Sequence, residues 1–146
     1  MQAVRNIPNE HLKLIVFGSV TQELSRQVNE LADGTRIQYI GWLQAKDTYE
    51  YVEAADLFVF PGRHSVFWEQ VAGQGKPMIV KDWPGTHHVD LGGNVIFLKK
   101  DSVQEIQAGI ESILNNPDKF SAMQRAAAKG ISFFSYSDIS NRAIEL

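Results

Sequence analysis

Residues with ligand-binding potential are concentrated in four short stretches, each of which follows an apolar run. The stretches are Gly18 and Ser19; Gly41, Trp42 and Leu43; Arg63, His64 and Ser65; and Gly85, Thr86, His87 and His88. Glycine N–H groups, hydroxyls, imidazoles and a guanidinium can bind an anion, and an aromatic ring can stack on a base. The pattern therefore indicates a nucleotide as the ligand, although Gly and Ser are also ordinary turn residues.

Two hydrogen-bond acceptors, Glu69 and Gln70, lie side by side in a segment of helical spacing. Phe67 and Val71 are one helical turn apart, so we expect them to face the core and to leave the acceptors on the flanking sides. A carboxylate or amide oxygen there can accept hydrogen bonds from ribose hydroxyls. A solvated polar pair is the alternative. Because Glu69 has no clear carboxylate partner, no catalytic residue is predicted.

The sequence offers little support for metal or thiol chemistry. Adjacent side chains such as His87 and His88 point apart on any regular element, and no third ligand is evident. No metal site is therefore predicted. The chain contains no cysteine, which excludes a disulfide framework, a thiolate zinc site and a cysteine nucleophile.

Strands are needed to position these residues, and five short apolar runs are candidates. They span residues 12–17, 37–40, 57–60, 78–80 and 95–98 and are rich in β-branched and aromatic residues. Segments of helical spacing separate them. This alternation predicts an α/β fold, a Rossmann-like parallel sheet of about five strands with helices on both faces. Ligands bind such sheets beyond the carboxyl ends of the strands, where the four stretches lie.

Several polar residues are typical of helix starts. Asp47 with Glu50, and Ser102 with Glu105, have the spacing of a capping box, and Asn116 precedes a proline at the first helical position. Ser65 is a further candidate cap, and a last helix is expected after Ser137.

Length and composition predict one soluble domain over residues 1–146, since 44% of the residues are apolar. The net charge of −3 argues against a protein that coats nucleic acid, so no nucleic-acid partner is expected. No apolar run approaches the ~18 residues of a membrane-spanning helix, and the first residues lack the apolar core of a signal peptide. The expected location is the cytoplasm.

The most specific stretch is residues 58–81, FVFPGRHSVFWEQVAGQGKPMIVK. A strand, a Pro-Gly turn, a helix with an acidic residue and Gly-Lys-Pro before a second strand follow one another in it. This order resembles the nucleotide-binding half of GT-B glycosyltransferases, in particular glycosyltransferase family 4 (group 1). LIVFGS, IQYIGWL, AADLFVFP and SFFSYSDISNRAIE resemble further family segments, so the similarity extends over nearly the whole chain.

The resemblance implies the donor-binding domain of a hexosyltransferase in polysaccharide biosynthesis at the cell envelope. The donor would be a UDP- or GDP-sugar, with no other cofactor. A glycan or lipid-linked acceptor would bind through an N-terminal domain that this sequence does not contain. We therefore expect the chain to be an inactive part of a longer enzyme, with peripheral association at the inner face of the membrane. A non-catalytic nucleotide-binding or protein-interaction domain is the alternative.

The chain departs from the family in the loop that precedes the predicted helix. Family members carry two glutamates eight positions apart, the second of which lies five residues before the glycine of Gly-x-Pro. Gln70 occupies that second position, with Glu69 beside it, and Gly62 stands in place of the first glutamate. The loop is also shorter, as in inverting N-acetylglucosaminyltransferases of the same fold. Retaining and inverting chemistry both remain open.

Two other α/β classes lack their required residues. A receiver domain needs acidic residues where Gly18 and Pro61 stand. A NAD-binding module needs G-x-G-x-x-G after its first strand, and GSVTQE has only the first of these glycines.

Overall fold

The computed structural model describes residues 1–144 and divides the chain into two compact units. The N-terminal unit comprises residues 1–51, and the C-terminal unit begins at residue 52. The boundary falls within one helix. The prediction that residues 1–146 form one donor-binding domain stays a prediction.

The N-terminal unit contains one pair of parallel strands. Its elements are α1 (Gln2–Asn6), β1 (Leu14–Val16), α2 (Gln22–Leu31), β2 (Ile37–Tyr39) and most of α3 (Ala45–Ala54). Leu14 lies opposite Ile37, and Val16 lies opposite Tyr39. Both strands are shorter than their apolar runs, and Ile15 is 44% exposed.

Asp33 organises the turn before β2. Its Oδ1 accepts hydrogen bonds from the backbone N–H groups of Thr35, Arg36 and Ile37, at 2.8, 2.7 and 3.0 Å. These donors, with Ile37 and Thr35 contributing most, hold the pKa of the Asp33 carboxyl far below its ordinary value. The ionised side chain therefore stabilises the entry to β2.

The C-terminal unit contains a three-stranded parallel sheet in the order β3-β4-β5. Its strands are β3 (Phe58–Phe60), β4 (Met78–Lys81) and β5 (Val95–Leu98), and its helices are α4 (Phe67–Gly73), α5 (Val103–Leu114), α6 (Pro117–Ala127), α7 (Gly130–Phe133) and α8 (Tyr136–Ile144). A short 3-10 turn, His87–Val89, lies between β4 and β5.

Burial on both faces explains why β4 is uniformly apolar. Met78, Ile79 and Val80 are completely buried in the central strand, as is typical of parallel sheets covered by helices. Trp68, Val71 and Ala72 from α4 join Met78 and Val80 in one core cluster. This packing fixes α4 against the sheet.

The α/β class and the five strands are confirmed for the described residues, but a single sheet of about five strands is wrong. The strands form one sheet of two and one of three. Apolar runs report that a segment is buried and extended. They carry no information on which neighbour it pairs with, and that choice is made by tertiary packing.

Two of the predicted helix caps are confirmed. Ser102 Oγ accepts from the Glu105 N–H at 3.2 Å, and Asn116 Oδ1 accepts from the Lys119 N–H at 3.0 Å. The capping box at Asp47 is wrong, because α3 already begins at Ala45. The last helix begins at Tyr136, earlier than expected.

Gly130 occupies a position that no side chain can share. A Cβ atom there would lie 2.0 Å from the Ala72 carbonyl oxygen, which belongs to α4. The backbones of α4 and α7 therefore approach each other directly.

Gly130→Ala should lower the free energy of unfolding by about 1–3 kcal/mol, because the two backbones must separate. Gly62→Ala is the matched control, since a Cβ atom at Gly62 meets nothing within 4 Å. Urea unfolding followed by tryptophan fluorescence measures both changes. Equal midpoints for the two variants would contradict the close approach.

Asp33→Asn keeps an oxygen acceptor but removes the charge, so it should lower the melting temperature at pH 7. A group with a lowered folded pKa stabilises the fold above its unfolded pKa of about 4 and loses that effect as pH falls towards the folded value. The gap between wild type and Asp33→Asn should therefore narrow between pH 5 and about pH 3 in thermal melts. A gap independent of pH would show that the carboxylate charge is not the cause.

Candidate functional site

The candidate site lies where the chain leaves β3 and β4. These neighbouring strands are parallel, with Phe60 opposite Val80, so the loops that follow them emerge at the same edge of the sheet. Trp83 Nε1 donates to the Gly62 carbonyl oxygen at 3.0 Å and joins the two loops. The residues after β3 and after β4 therefore form one surface.

Glu69 is the centre of this surface. It lies in the first turn of α4, and its Oε1 accepts hydrogen bonds from His64 Nε2 at 2.8 Å and from His88 Nε2 at 2.7 Å. One histidine comes from the loop after β3 and the other from the turn after β4. We call His64, Glu69 and His88 the Glu69 cluster.

The three side chains of the Glu69 cluster are partly shielded from water. Their exposed fractions are 34% for His64, 28% for Glu69 and 44% for His88. The His64 ring packs edge-on against Trp68 at a centroid distance of 4.9 Å, and Trp68 is completely buried. The cluster therefore stands on the core and faces solvent on one side.

Hydrogen bonding keeps Glu69 ionised. Burial alone would raise the pKa of its carboxyl, but the hydrogen bond from His88, the nearby backbone N–H of Glu69 itself and the hydrogen bond from His64 outweigh burial and hold that pKa below its ordinary value. The second oxygen, Oε2, is buried and has no hydrogen-bond partner among the described residues. Only one of the two carboxylate oxygens therefore has hydrogen-bond partners in the part of the chain that the structure describes.

His87 points away from the Glu69 cluster, as the sequence predicts for adjacent residues. Its Nε2 donates to Asp82 Oδ1 at 2.6 Å, and its ring lies 4.4 Å from that of Phe97. Each of the two neighbouring imidazoles therefore has its own carboxylate. Asp82 was not among the candidate residues, although its position directly after β4 could have indicated it.

The hydroxyl of Thr86 is used within the turn. Thr86 is buried, and its Oγ1 donates to the Trp83 carbonyl oxygen at 2.8 Å. Gly85 has a positive φ of 84° and open space around it. Among these two residues, Gly85 is the one that leaves room for a ligand.

Arg63, Ser65 and Gln70 are exposed around the Glu69 cluster. The predicted side-chain cap at Ser65 is wrong, because Val66 is the N-cap of α4 and Ser65 accepts through its backbone carbonyl from the Trp68 N–H. Gln70 points to solvent, whereas Glu69 is half-buried beside the two imidazoles. Of the two predicted acceptors, Glu69 is therefore the one built into the surface.

The remaining candidates belong to the N-terminal unit. The Gly18 N–H donates to the Gly41 carbonyl oxygen at 2.8 Å, and the Tyr39 hydroxyl donates to the Gly18 carbonyl oxygen at 2.8 Å. Trp42 is 76% exposed, which excludes a role in the core of its unit. Ser19 is exposed and Leu43 is half-buried.

The sequence matches one protein family over most of its length. Residues 1–116, which include both strand-end loops and the Glu69 cluster, match the family described as glycosyl transferases group 1. The chain belongs to the group 1 glycosyltransferases. The resemblance found in the residues 58–81 is thereby confirmed. The chain matches no curated protein sequence closely enough to identify a relative.

Solved structures confirm the fold of this glycosyltransferase domain. HepE from Anabaena, in complex with UDP, is similar with a TM-score of 0.77 and 20% identity over 99% of this chain and 42% of its own. Sucrose-phosphate synthase from Thermosynechococcus elongatus has a TM-score of 0.69 and 15% identity, over 91% of this chain and 37% of its own.

UDP-GlcNAc 2-epimerase from Neisseria meningitidis, bound to UDP-GlcNAc, shares the same fold, with a TM-score of 0.68 and 14% identity over 92% of this chain and 36% of its own. An epimerase, a synthase and HepE thus share one architecture. Likeness at these identities shows the fold alone. The chain spans less than half the length of each of the three proteins.

The helices within residues 1–144 are all too short or too polar to cross a membrane.

Removing the shared acceptor should disturb two imidazoles and spare the third. Glu69→Ala should shift the ring nitrogens of His64 and His88 together, because both lose their Nε2 partner, while His87 keeps Asp82. Long-range proton–nitrogen correlation spectra of the histidine rings measure this. Asp82→Ala is the matched control and should shift only His87. If Glu69→Ala moved one ring alone, the shared acceptor would be contradicted.

Proposed function

We propose that the chain is the donor-binding domain of a glycosyltransferase that transfers a sugar from a nucleotide diphosphate sugar to a polysaccharide or glycolipid acceptor. Family membership supports the reaction class. The observation that carries the site is the convergence of His64 and His88 on Glu69 at the carboxyl edge of β3 and β4.

The chemical groups at this edge match the two polar parts of such a donor. The imidazoles of His64 and His88 and the backbone at Gly85 supply N–H groups for the diphosphate, and the exposed guanidinium of Arg63 supplies positive charge. The Glu69 carboxylate supplies an acceptor for sugar or ribose hydroxyls. Donors and acceptor lie together on a surface that packs on the core through Trp68.

The nature of the donor is inferred from structures of the same fold. HepE has been solved with UDP and with UDP and glucose, and the epimerase with UDP-GlcNAc. These complexes support a UDP-sugar as the first candidate, with a GDP-sugar as the second. No further cofactor is required for transfer from an activated donor.

In this proposal, the binding site for the sugar acceptor is not formed by the residues of this chain. Structures of the same fold are more than twice as long as the chain, and we expect the acceptor to bind to a second domain. A lipid-linked acceptor would bring the whole enzyme to the inner face of the membrane by peripheral association. The domain itself would work in the cytoplasm.

Nucleotide affinity should depend on Glu69 more than on Gln70. Losing a hydrogen bond to a charged group costs about 1.5–3 kcal/mol, so Glu69→Ala should weaken UDP binding by about tenfold or more. Gln70→Ala is the matched control and should weaken it several-fold at most, because a neutral bond is worth about 0.5–1.5 kcal/mol. Calorimetric titration of the chain with UDP in a buffer containing a chelator measures both.

Two results would contradict the assignment of the ribose contact to Glu69. A larger loss in Gln70→Ala would place the ribose contact one residue further along α4. Equal affinity in both variants and wild type would remove α4 from the nucleotide site.

The chain alone should bind the nucleotide without transferring the sugar. The reaction needs an acceptor held opposite the donor, and the proposal places that acceptor on another domain. Incubation of the chain with labelled UDP-sugars and glycan or lipid acceptors tests this, with binding followed in parallel by thermal shift. Measurable transfer would show that the chain contains its own acceptor site.

A further inference from the structure

Three ligand atoms of the kinds that transition metals prefer meet in the Glu69 cluster. The two imidazole nitrogens and a carboxylate oxygen all lie within 4.8 Å of one another. From this arrangement we propose that His64, Glu69 and His88 bind a divalent transition-metal ion of the zinc class. The proposal goes beyond nucleotide binding, since it requires no nucleotide.

The distances between the ligand atoms of the Glu69 cluster are close to those found around a zinc ion, so the side chains need to move little. Zinc binds nitrogen and carboxylate oxygen at about 2.0–2.2 Å, so ligands around one ion lie about 3–4 Å apart. His64 Nε2 and His88 Nε2 are 2.8 and 2.7 Å from Glu69 Oε1. An ion can therefore take the place of the two bridging protons, which pass to solvent as the Nε2 lone pairs bind the metal, if the three side chains separate slightly. Two histidines and one carboxylate also leave positions open for water or another ligand.

The second oxygen of Glu69 points to the same conclusion. Oε2 is buried without a hydrogen-bond partner in the described part of the chain, whereas Oε1 accepts two. Buried polar atoms are rarely left unpaired, and an unseen ion is one reason for an exception. A cation bound to the carboxylate would give Oε2 the electrostatic partner that it lacks.

His88 already has the outer contact of a metal-bound histidine. Its Nδ1 lies 3.3 Å from the Gly85 carbonyl oxygen while its Nε2 faces Glu69. A metal-binding imidazole commonly donates its second N–H to a backbone carbonyl, which fixes the ring and its tautomer. Trp68 restrains the other ring by its edge-on contact with His64 at 4.9 Å. Both ligating nitrogens are thus held before any ion binds.

The solvent exposure and the charge of the Glu69 cluster are also compatible with a bound metal ion. The three side chains are 28–44% exposed, so an ion can enter from water. The carboxylate contributes the negative charge that a dication requires, and no cysteine is needed for a site made of imidazoles and a carboxylate.

Calorimetric titration of the untagged, chelator-treated chain with zinc chloride tests the proposal. We expect saturable binding of one equivalent and loss of that binding in the double variant His64→Ala with His88→Ala. His87→Ala is the matched control, because His87 is bonded to Asp82 instead, and it should bind zinc as the wild type does. Cobalt chloride, followed by its visible absorption, provides a second readout of nitrogen and oxygen ligation.

The single variant Glu69→Gln provides a second test in case the double variant does not fold. It keeps the size of the side chain and should weaken zinc binding by at least about tenfold, the loss seen even for outer partners of metal ligands. Circular dichroism confirms that each variant is folded, and Glu69→Gln decides the question if the double variant is not. The proposal is overturned if the wild type does not bind zinc, if Glu69→Gln and the folded double variant bind it unchanged, or if His87→Ala abolishes binding. Because no nucleotide is present, these outcomes are independent of the proposed donor site.

Discussion

Parallel pairing of β3 with β4 is the constraint on which the candidate site depends. Phe58 lies opposite Met78 and Phe60 opposite Val80, so both strands end at the same edge. The loops that follow carry His64 and His88, and Glu69 lies at the start of the helix after the first loop. Met78 and Val80 belong to the core cluster, which also packs α4 against the sheet. The site is therefore held in place by the same contacts that form the core.

The boundary between core and site passes between two adjacent residues. Trp68 is completely buried and packs in the core cluster, whereas Glu69 is half-exposed and carries a charge. A partly desolvated carboxylate needs strong donors, and two imidazoles from different loops provide them. This explains why His64 and His88, which are far apart in sequence, are ordered around one oxygen atom.

The family match covers the Glu69 cluster together with the strands that position it. Group 1 membership rests on residues 1–116 as a whole. Within them, the loop between β3 and α4 carries His64 close to Glu69. The surface thus combines one carboxylate with two imidazoles. Imidazole nitrogens that carry a proton can donate to an anionic sugar donor. Imidazole nitrogens without a proton can bind a cation through their lone pairs, together with the carboxylate.

Much of the architecture could be predicted from the sequence because it depends on local properties. Apolar runs marked all five described strands, and Ser102 and Asn116 marked helix starts, since strand burial and capping leave direct traces in neighbouring residues. The division into sheets of two and three strands left no such trace. Strand pairing is decided between distant segments.

The same distinction applies to the candidate site. Glu69, His64 and His88 could each be selected by residue type and by position after a strand, and the divergence of His87 from His88 follows from their adjacency. Their convergence on a single carboxylate oxygen could not be predicted, because it joins residues 19 positions apart through the pairing of β3 with β4. The sequence by itself determined the fold class, the family and the chemical types available at the strand ends. Only the tertiary structure decided which of those groups meet, since distances between side chains from separate loops are set by packing and not by local sequence.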